Sequence, residues 1–191
     1  GKVHPHLEIK IIDQESGQVV PIGVSGELCV RGYSVMLGYW KNEEKTKKAI
    51  DSARWIHTED LATMDEEGYI NIVGRIKDMI IRGGENIYPK EIEEFFYTHP
   101  KISDVKVIGV PDAKYGEAVM AWVILKEGEK ATAEEFIEFC KGNIAHFKVP
   151  KYFKFTTSFP MTVTGKIRKI EMRQISIKEL NLEAVNKIET A

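Results

Sequence analysis

Gly74-Arg75-Ile76-Lys77-Asp78-Met79-Ile80-Ile81-Arg82-Gly83-Gly84-Glu85-Asn86-Ile87-Tyr88-Pro89 divides this 191-residue chain in two. Its first five residues mark a change of pattern. Upstream the chain reads as β-rich. Leu7–Ile12, Gly26–Arg31 and Tyr69–Val73 are short strand candidates, set apart by Ser16-Gly17, Gly23-Val24-Ser25-Gly26 and Glu66-Glu67-Gly68 turn signals. One short helix interrupts them. Asn42 can cap it, Glu43 and Glu44 occupy its first turn, and Lys45, Lys47 and Lys48 lie toward its C-terminal end, as the helix dipole favours.

Downstream, strands and helices alternate. Pro89 opens a helix at its first position, where the missing N–H costs nothing, and Ile92, Phe95 and Phe96 form the apolar stripe. Val105–Val110 and Ala118–Leu125 follow as strands; the second is the longest apolar run and reads as buried on both faces. Thr132-Ala133-Glu134-Glu135 is a capping box for a helix that buries Phe136, Ile137 and Cys140. Tyr152–Thr156 is a further strand, and Arg168–Leu180 a final helix. The boundaries expected are 1–74 for the β-rich part, 75–78 for a connection, 79–180 for the second part and 181–191 for a tail without identifiable chemistry.

Hydrophobic residues make up 43% of the chain and charged residues 29%, the balance of an ordinary globular protein. The net charge of −2 gives no general attraction to nucleic acid or to an anionic membrane. The apolar run at Ala118–Leu125 is far too short to span a bilayer. Cys29 and Cys140 sit in apolar contexts without a CxxC partner, so buried thiols are expected rather than a disulfide or a zinc site. The five histidines show no metal-binding or catalytic spacing and read as structural or surface residues, and no Cys/His pair suggests itself. The start at Gly1 in mid-pattern suggests a piece of a longer or processed chain.

Four stretches hold candidate chemistry. In Pro160-Met161-Thr162-Val163-Thr164-Gly165-Lys166, the proline and glycine shape a loop with Lys166 at its tip, and Arg168 and Lys169 keep the surroundings positive. Lys166 is either a solvated turn residue or a point charge able to bridge a carboxylate and a phosphate. Gly83-Gly84 is a tight turn, or a place where a ligand approaches the backbone because no Cβ stands in the way. Arg75, Lys77 and Asp78 form a charged linker. Asp60, in Trp55-Ile56-His57-Thr58-Glu59-Asp60, is a helix cap, a turn former or a carboxylate able to accept both hydroxyls of a ribose.

In their order along the chain these segments resemble the adenylate-forming superfamily, and within it the fatty acyl-CoA synthetases. Gly26-Glu27-Leu28 through Gly38-Tyr39-Trp40 is similar to that family's GEL…GY[WY] region, and Trp55–Asp60 to its W-x-x-T-G-D ribose motif. Gly74–Glu93 resembles its hinge and adjoining loop. Gly109-Val110-Pro111-Asp112, Tyr115-Gly116-Glu117, Phe147-Lys148-Val149-Pro150 and Pro160–Lys166 keep the family order. The resemblance implies an α+β fold: a final, barrel-like β-rich subdomain, then a small, mobile α+β lid domain with a short, mostly antiparallel sheet flanked by helices.

It also implies a two-step reaction. A fatty or other carboxylic acid and Mg-ATP give acyl-AMP and pyrophosphate, and coenzyme A then displaces AMP. Lys166 would stabilise charge during adenylation, and Asp60 with Arg75 would bind the nucleotide. Lys77 and Asp78 would be the hinge, and the loop of Gly83, Gly84, Glu85 and Asn86 would line the coenzyme A tunnel. No protein-held metal site is expected in this chain, because Mg²⁺ would be bound mainly by a domain outside it. The family's phosphate loop and adenine motif are absent from the sequence, so the chain alone is expected to be inactive. Glu59 stands where the ribose motif has glycine. Other readings are a domain that loads a carrier protein, and a non-catalytic docking or coenzyme A-binding module. The lysine loop also resembles the target of protein acetyltransferases, and a cytoplasmic location is expected.

Overall fold

A computed structural model describes residues 1–186. The chain divides into two compact units, with the boundary between Lys77 and Asp78. The first is built on a four-stranded antiparallel sheet of β1 (Leu7–Ile12), β2 (Gly26–Gly32), β3 (Ile56–Met64) and β4 (Ile70–Arg75), in that spatial order. Strands β1 and β4 are its edges, so the sheet is open and forms no closed barrel among the described residues. Helix α1 (Glu43–Ala49) starts as its sequence requires: the Asn42 side chain accepts the Lys45 N–H at 2.9 Å, satisfying one otherwise unpaired donor. Its lysines lie one turn from its glutamates, with Lys48 and Glu44 3.2 Å apart.

Strand β3 has no counterpart among the strands expected from the sequence, and its irregularity explains why. Cys29 pairs with His57, yet Glu27, two residues back on β2, pairs with Leu61. The residues between His57 and Leu61 therefore bulge out, breaking the alternation by which a strand is recognised. A second shift on the other side of β3 falls between Leu61 and Ala62.

The second unit has a mixed five-stranded sheet. Strands β7 (Ile102–Asp112) and β8 (Gly116–Leu125) form a long hairpin. Strand β5 (Ile80–Arg82) and the parallel strand β9 (Tyr152–Phe155) also pair with β8, and β6 (Glu85–Ile87) pairs with β5. Helices cover both faces, which is why β8 is apolar from Ala118 to Leu125. Val119, Ala121 and Val123 face the core formed with α2 (Pro89–Phe96) and α3 (Ala133–Cys140), where Ile92, Phe96, Phe136 and Cys140 are buried. Ala118, Met120 and Trp122 face the core shared with α4 (Lys169–Glu179) through Met172. The Trp122 indole N–H donates to Ser176 Oγ at 2.9 Å, so this buried polar pair is satisfied. Truncating Phe136, which is fully buried, would cost about 3–5 kcal/mol.

The capping box reads as expected at its first residue: Thr132 Oγ1 accepts the Glu135 N–H. Past α4, a short helix α5 (Glu183–Asn186) lies within the expected tail, whose last five residues are outside the described ones. No helix among the described residues is long and apolar enough to cross a membrane.

Candidate functional site

The bulge of β3 sets the first group of side chains. Thr58 Oγ1 donates to the Leu28 carbonyl at 2.7 Å and accepts the Asp60 N–H at 3.1 Å, tying the bulge to β2. Glu59 is left-handed, with φ of +59°, a conformation that glycine enters freely and glutamate only at a cost of about 1–2 kcal/mol. Its N–H donates to Glu27 Oε1 at 3.2 Å. On the other edge of β3, Asp60, the last residue of the bulge, pairs across the ladder with Arg75, whose Nε donates to the carboxylate at 2.8 Å. Asp60 is thus a strand residue, neither a helix cap nor a turn former.

Lys77 lies in a short 3-10 turn, Ile76–Asp78, and its ammonium meets the Glu59 carboxylate at 2.6 Å. A cleft of about 820 Å³ opens beside these groups, lined by Tyr39, Lys45, His57, Glu59, Arg75 and Lys77 among others. The structure therefore brings Asp60 and Arg75 together on one sheet and places Lys77, in the turn after β4, against Glu59. The side chain that departs from the ribose motif is the one that touches Lys77.

Gly83 and Gly84, with φ of +61° and +88°, form the two-residue connection between β5 and β6. Positive φ at both central positions is the pattern of a type I′ turn, whose twist matches that of a hairpin. The turn is anchored, since the Gly83 N–H donates to the Tyr115 carbonyl at 2.8 Å. The Arg82 guanidinium lies over the Tyr115 ring at 5.3 Å and donates to the Phe147 carbonyl at 2.6 Å. Glu117 accepts the Ile81 N–H at 2.8 Å and pairs with Arg173, which also donates to the Gly109 carbonyl at 2.7 Å. A Cβ on Gly109 would stand 2.8 Å from Glu117 Oε1, so that glycine makes room for the pair. Asp112, largely buried, accepts N–H bonds from Lys114 and Tyr115 and pairs with Lys151, whose ammonium holds the carboxyl below its ordinary range.

Lys166 sits on a small hydrogen-bonded hairpin. Met161 bridges Ile167, the Thr162 N–H donates to the Lys166 carbonyl at 2.8 Å, and the Lys166 N–H donates to Thr162 Oγ1 at 3.1 Å. The tip is Val163 to Gly165, so Lys166 lies on the returning limb and not at the tip. It is exposed, and among the described residues no carboxylate pairs with it. Its basic neighbours are neutralised instead: Arg168 pairs with Glu171 at 2.6 Å and Lys169 with Glu93 at 2.8 Å. Lys166 is thus the free cation of its loop among the described residues. No hydrogen bond or ion pair among them joins this hairpin to the glycine turn.

Sequence spacing missed one cluster. The β2–β3 register sets His57 against Cys29, with His57 Nδ1 3.7 Å from the sulfur and 2.9 Å from Glu27 Oε2. The absence of a Cys/His pair expected from the sequence is therefore corrected: 28 residues of chain separate partners that the ladder joins. Cys29 is fully buried, and burial, reinforced by the Glu27 charge, pushes its thiol up to about 11. Cys140 is likewise buried and pushed up to about 11. Both are free thiols, as expected.

The α+β fold, an antiparallel sheet followed by a helix-covered sheet, is shared with adenylate-forming enzymes of known structure. The sequence agrees: residues 91–166 match the AMP-binding enzyme C-terminal domain, and residues 1–40 match the AMP-binding enzyme family. The chain belongs to the AMP-binding, adenylate-forming enzymes.

Among curated relatives, the medium-chain acyl-CoA ligase ACSF2, mitochondrial, of Bos taurus is 54% identical over 95% of this chain and 30% of its own length. The chain thus spans about a third of the length of the relatives it matches. Among solved structures, ATP-bound MatB from Rhodopseudomonas palustris aligns with a TM-score of 0.88 and 36% identity, over 92% of this chain and 35% of that one. The o-succinylbenzoate CoA synthetase MenE of Bacillus subtilis, in complex with its acyl-adenylate intermediate, aligns with a TM-score of 0.83 and 32% identity, over 91% of this chain and 35% of that one.

Proposed function

We propose that the chain serves an acyl-CoA synthetase, supplying its mobile catalytic lysine and part of its nucleotide site. The enzyme joins a fatty or other carboxylic acid to ATP, giving acyl-adenylate and pyrophosphate. It then transfers the acyl group to coenzyme A with release of AMP. The observation that carries this reading is the exposed Lys166 ammonium, left without a carboxylate among the described residues while the cations that follow its hairpin are paired. An unneutralised, compact cation on a long stem suits the negative charge that gathers on carboxylate and α-phosphate oxygens during adenylation.

Asp60 supports the same reading. One of its oxygens accepts from Arg75, and a carboxylate offers about four lone-pair sites, which leaves capacity for two ribose hydroxyls. Lys77 and Asp78, at the boundary between the two units, serve as the hinge about which the second unit turns between half-reactions. In the second half-reaction the Gly83–Asn86 turn lines the path of coenzyme A, where its two glycines let a ligand approach the backbone. Magnesium is a poor fit to this chain. The one metal-type cluster among the described residues contains a thiol and an imidazole, whereas Mg²⁺ requires oxygen ligands.

The test separates the two half-reactions in the complete enzyme. Lys166→Ala is expected to lower acyl-adenylate formation about 10²–10³-fold, the loss typical of one charge-stabilising group. Thioester formation from supplied acyl-adenylate should change little. Equal losses in both would refute the assignment, and a protein or amine acceptor used in preference to coenzyme A would refute the acceptor. The 191-residue chain alone is expected to form no acyl-adenylate. The exposure of Lys166 also leaves it open to a protein acetyltransferase, which would remove the charge that adenylation uses.

A further inference from the structure

We infer that Glu27, Cys29 and His57 form a binding site for one thiophilic divalent cation of the zinc class, at the wall of the cleft in the first unit. Their ligand atoms, Oε, Sγ and Nδ1, all lie within 4.8 Å of one another. Glu27 and Cys29 alternate onto one face of β2, and His57 lies opposite Cys29 on β3. Three donors on two paired strands are held more rigidly than donors on loops would be.

The distances fit a small cation. Tetrahedral zinc, with bonds of about 2.3 Å to sulfur and 2.0–2.2 Å to nitrogen and oxygen, sets neighbouring donors about 3.3–3.7 Å apart. The observed sulfur–nitrogen separation is 3.7 Å, while the 2.9 Å between His57 Nδ1 and Glu27 Oε2 is a hydrogen bond. A cation would replace that bond and spread the pair by about 0.4 Å.

The donor set also decides which cation. A thiolate and an imidazole select zinc-like metals over magnesium or calcium. The proton balance closes with one proton released: Cys29 gives up its thiol proton to solvent, the His57 proton that bonds Glu27 moves from Nδ1 to Nε2 by tautomer exchange, and Nδ1 then donates its lone pair. Glu27 binds through Oε2 while Oε1 retains the Glu59 N–H. Thiolate and carboxylate together then cancel the two positive charges, as a largely buried site requires.

Access is from one side. Cys29 is fully buried, but the His57 and Glu27 side chains are 30% and 11% exposed and line the cleft, which leaves the fourth position open. Lys10, opposite Cys29 on β1, is one like charge near the site, its ammonium 4.6 Å over the Trp55 ring, and Lys45, Lys48, Arg75 and Lys77 line the same cleft. The inference is independent of the adenylation reading.

The test titrates the chelator-treated full chain with Co²⁺, and then with Zn²⁺ in competition. One equivalent of Co²⁺ is expected, with tetrahedral d–d bands and a thiolate-to-cobalt charge-transfer band, displaced by Zn²⁺ and accompanied by release of one proton. Cys140→Ser should keep the band and Cys29→Ser should lose it. His57→Gln, at a partly exposed position that leaves the core intact, should weaken binding more than about tenfold, since even partners outside the ligand set are worth that much. Absence of binding, an octahedral spectrum without charge transfer, or wild-type affinity in both His57→Gln and Glu27→Gln would overturn the site.

Discussion

The Lys77 ammonium meets the Glu59 carboxylate at 2.6 Å, and Glu59 holds that position from a left-handed backbone. The two facts oppose each other energetically. The backbone costs glutamate about 1–2 kcal/mol, and a half-exposed ion pair returns about 0–1 kcal/mol. Glu59→Ala removes the pair and keeps the strain, so it should be the least stable variant. Glu59→Gly removes both and should exceed Glu59→Ala by about 1 kcal/mol. Urea unfolding checks the order; equal stabilities would show that the strain is not real. In the complete enzyme Glu59→Gly should also free Lys77, and a change in the ratio of the two half-reaction rates would report it.

The glycine turn gives a second expectation. Gly83 and Gly84 both have positive φ, so alanine at either should cost about 1 kcal/mol or more. Gly83→Ala should cost more, because its Cβ would come within 3.2 Å of the Tyr115 ring, whereas nothing lies within 4 Å of a Cβ on Gly84. Asparagine at Gly84, which tolerates the left-handed region, should lose less than alanine. Denaturation midpoints for the three variants decide this.

Much of this fold is legible because its signals are local. Strand β1 has the expected bounds, Asn42 and Thr132 cap where their side chains imply, and Pro89 opens α2. What could not be read is what depends on pairing. The bulge hides β3 by breaking its alternation, and β5 and β6 are three residues each, too short for a period to register. Asp60 and Arg75 were nameable from their motifs, but their ion pair exists only through the ladder. The Cys29–His57 contact has no sequence spacing at all to announce it. The Glu59–Lys77 pair needs both a turn and a positive φ.

His99 predicts a pH dependence for the second unit. It is largely buried, Nδ1 accepts the Lys101 N–H at 3.3 Å, and its ring meets Phe136 and Phe139 edge-on. Burial lowers its pKa from 6.5, against the opposing pull of Glu135, with Lys101 adding to the lowering. Folding therefore favours the neutral ring. The stabilisation is present above the unfolded value and is lost as pH falls from about 6.5 through the depressed folded value. Thermal unfolding between pH 7.5 and 5 should show a downward slope that His99→Phe flattens, whatever that variant does to absolute stability. An unchanged slope would remove His99 from the account.

Thr162 is expected to govern Lys166 without touching substrate. Its backbone N–H donates to the Lys166 carbonyl, its Oγ1 accepts the Lys166 N–H, and its hydroxyl lies 2.9 Å from Thr164 Oγ1. Thr162→Val keeps the shape and the backbone bond but removes the oxygen, loosening the limb on which the lysine stands. Each such bond is worth about 0.5–1.5 kcal/mol, so adenylation should fall about 3–10-fold, well short of the loss expected for Lys166→Ala. The loop is exposed, so global stability should barely move. Thr162→Ser, which retains the hydroxyl, should restore the rate. If valine and serine variants adenylate equally well, the hairpin does not position the lysine, and Lys166 acts through the freedom of its own long side chain.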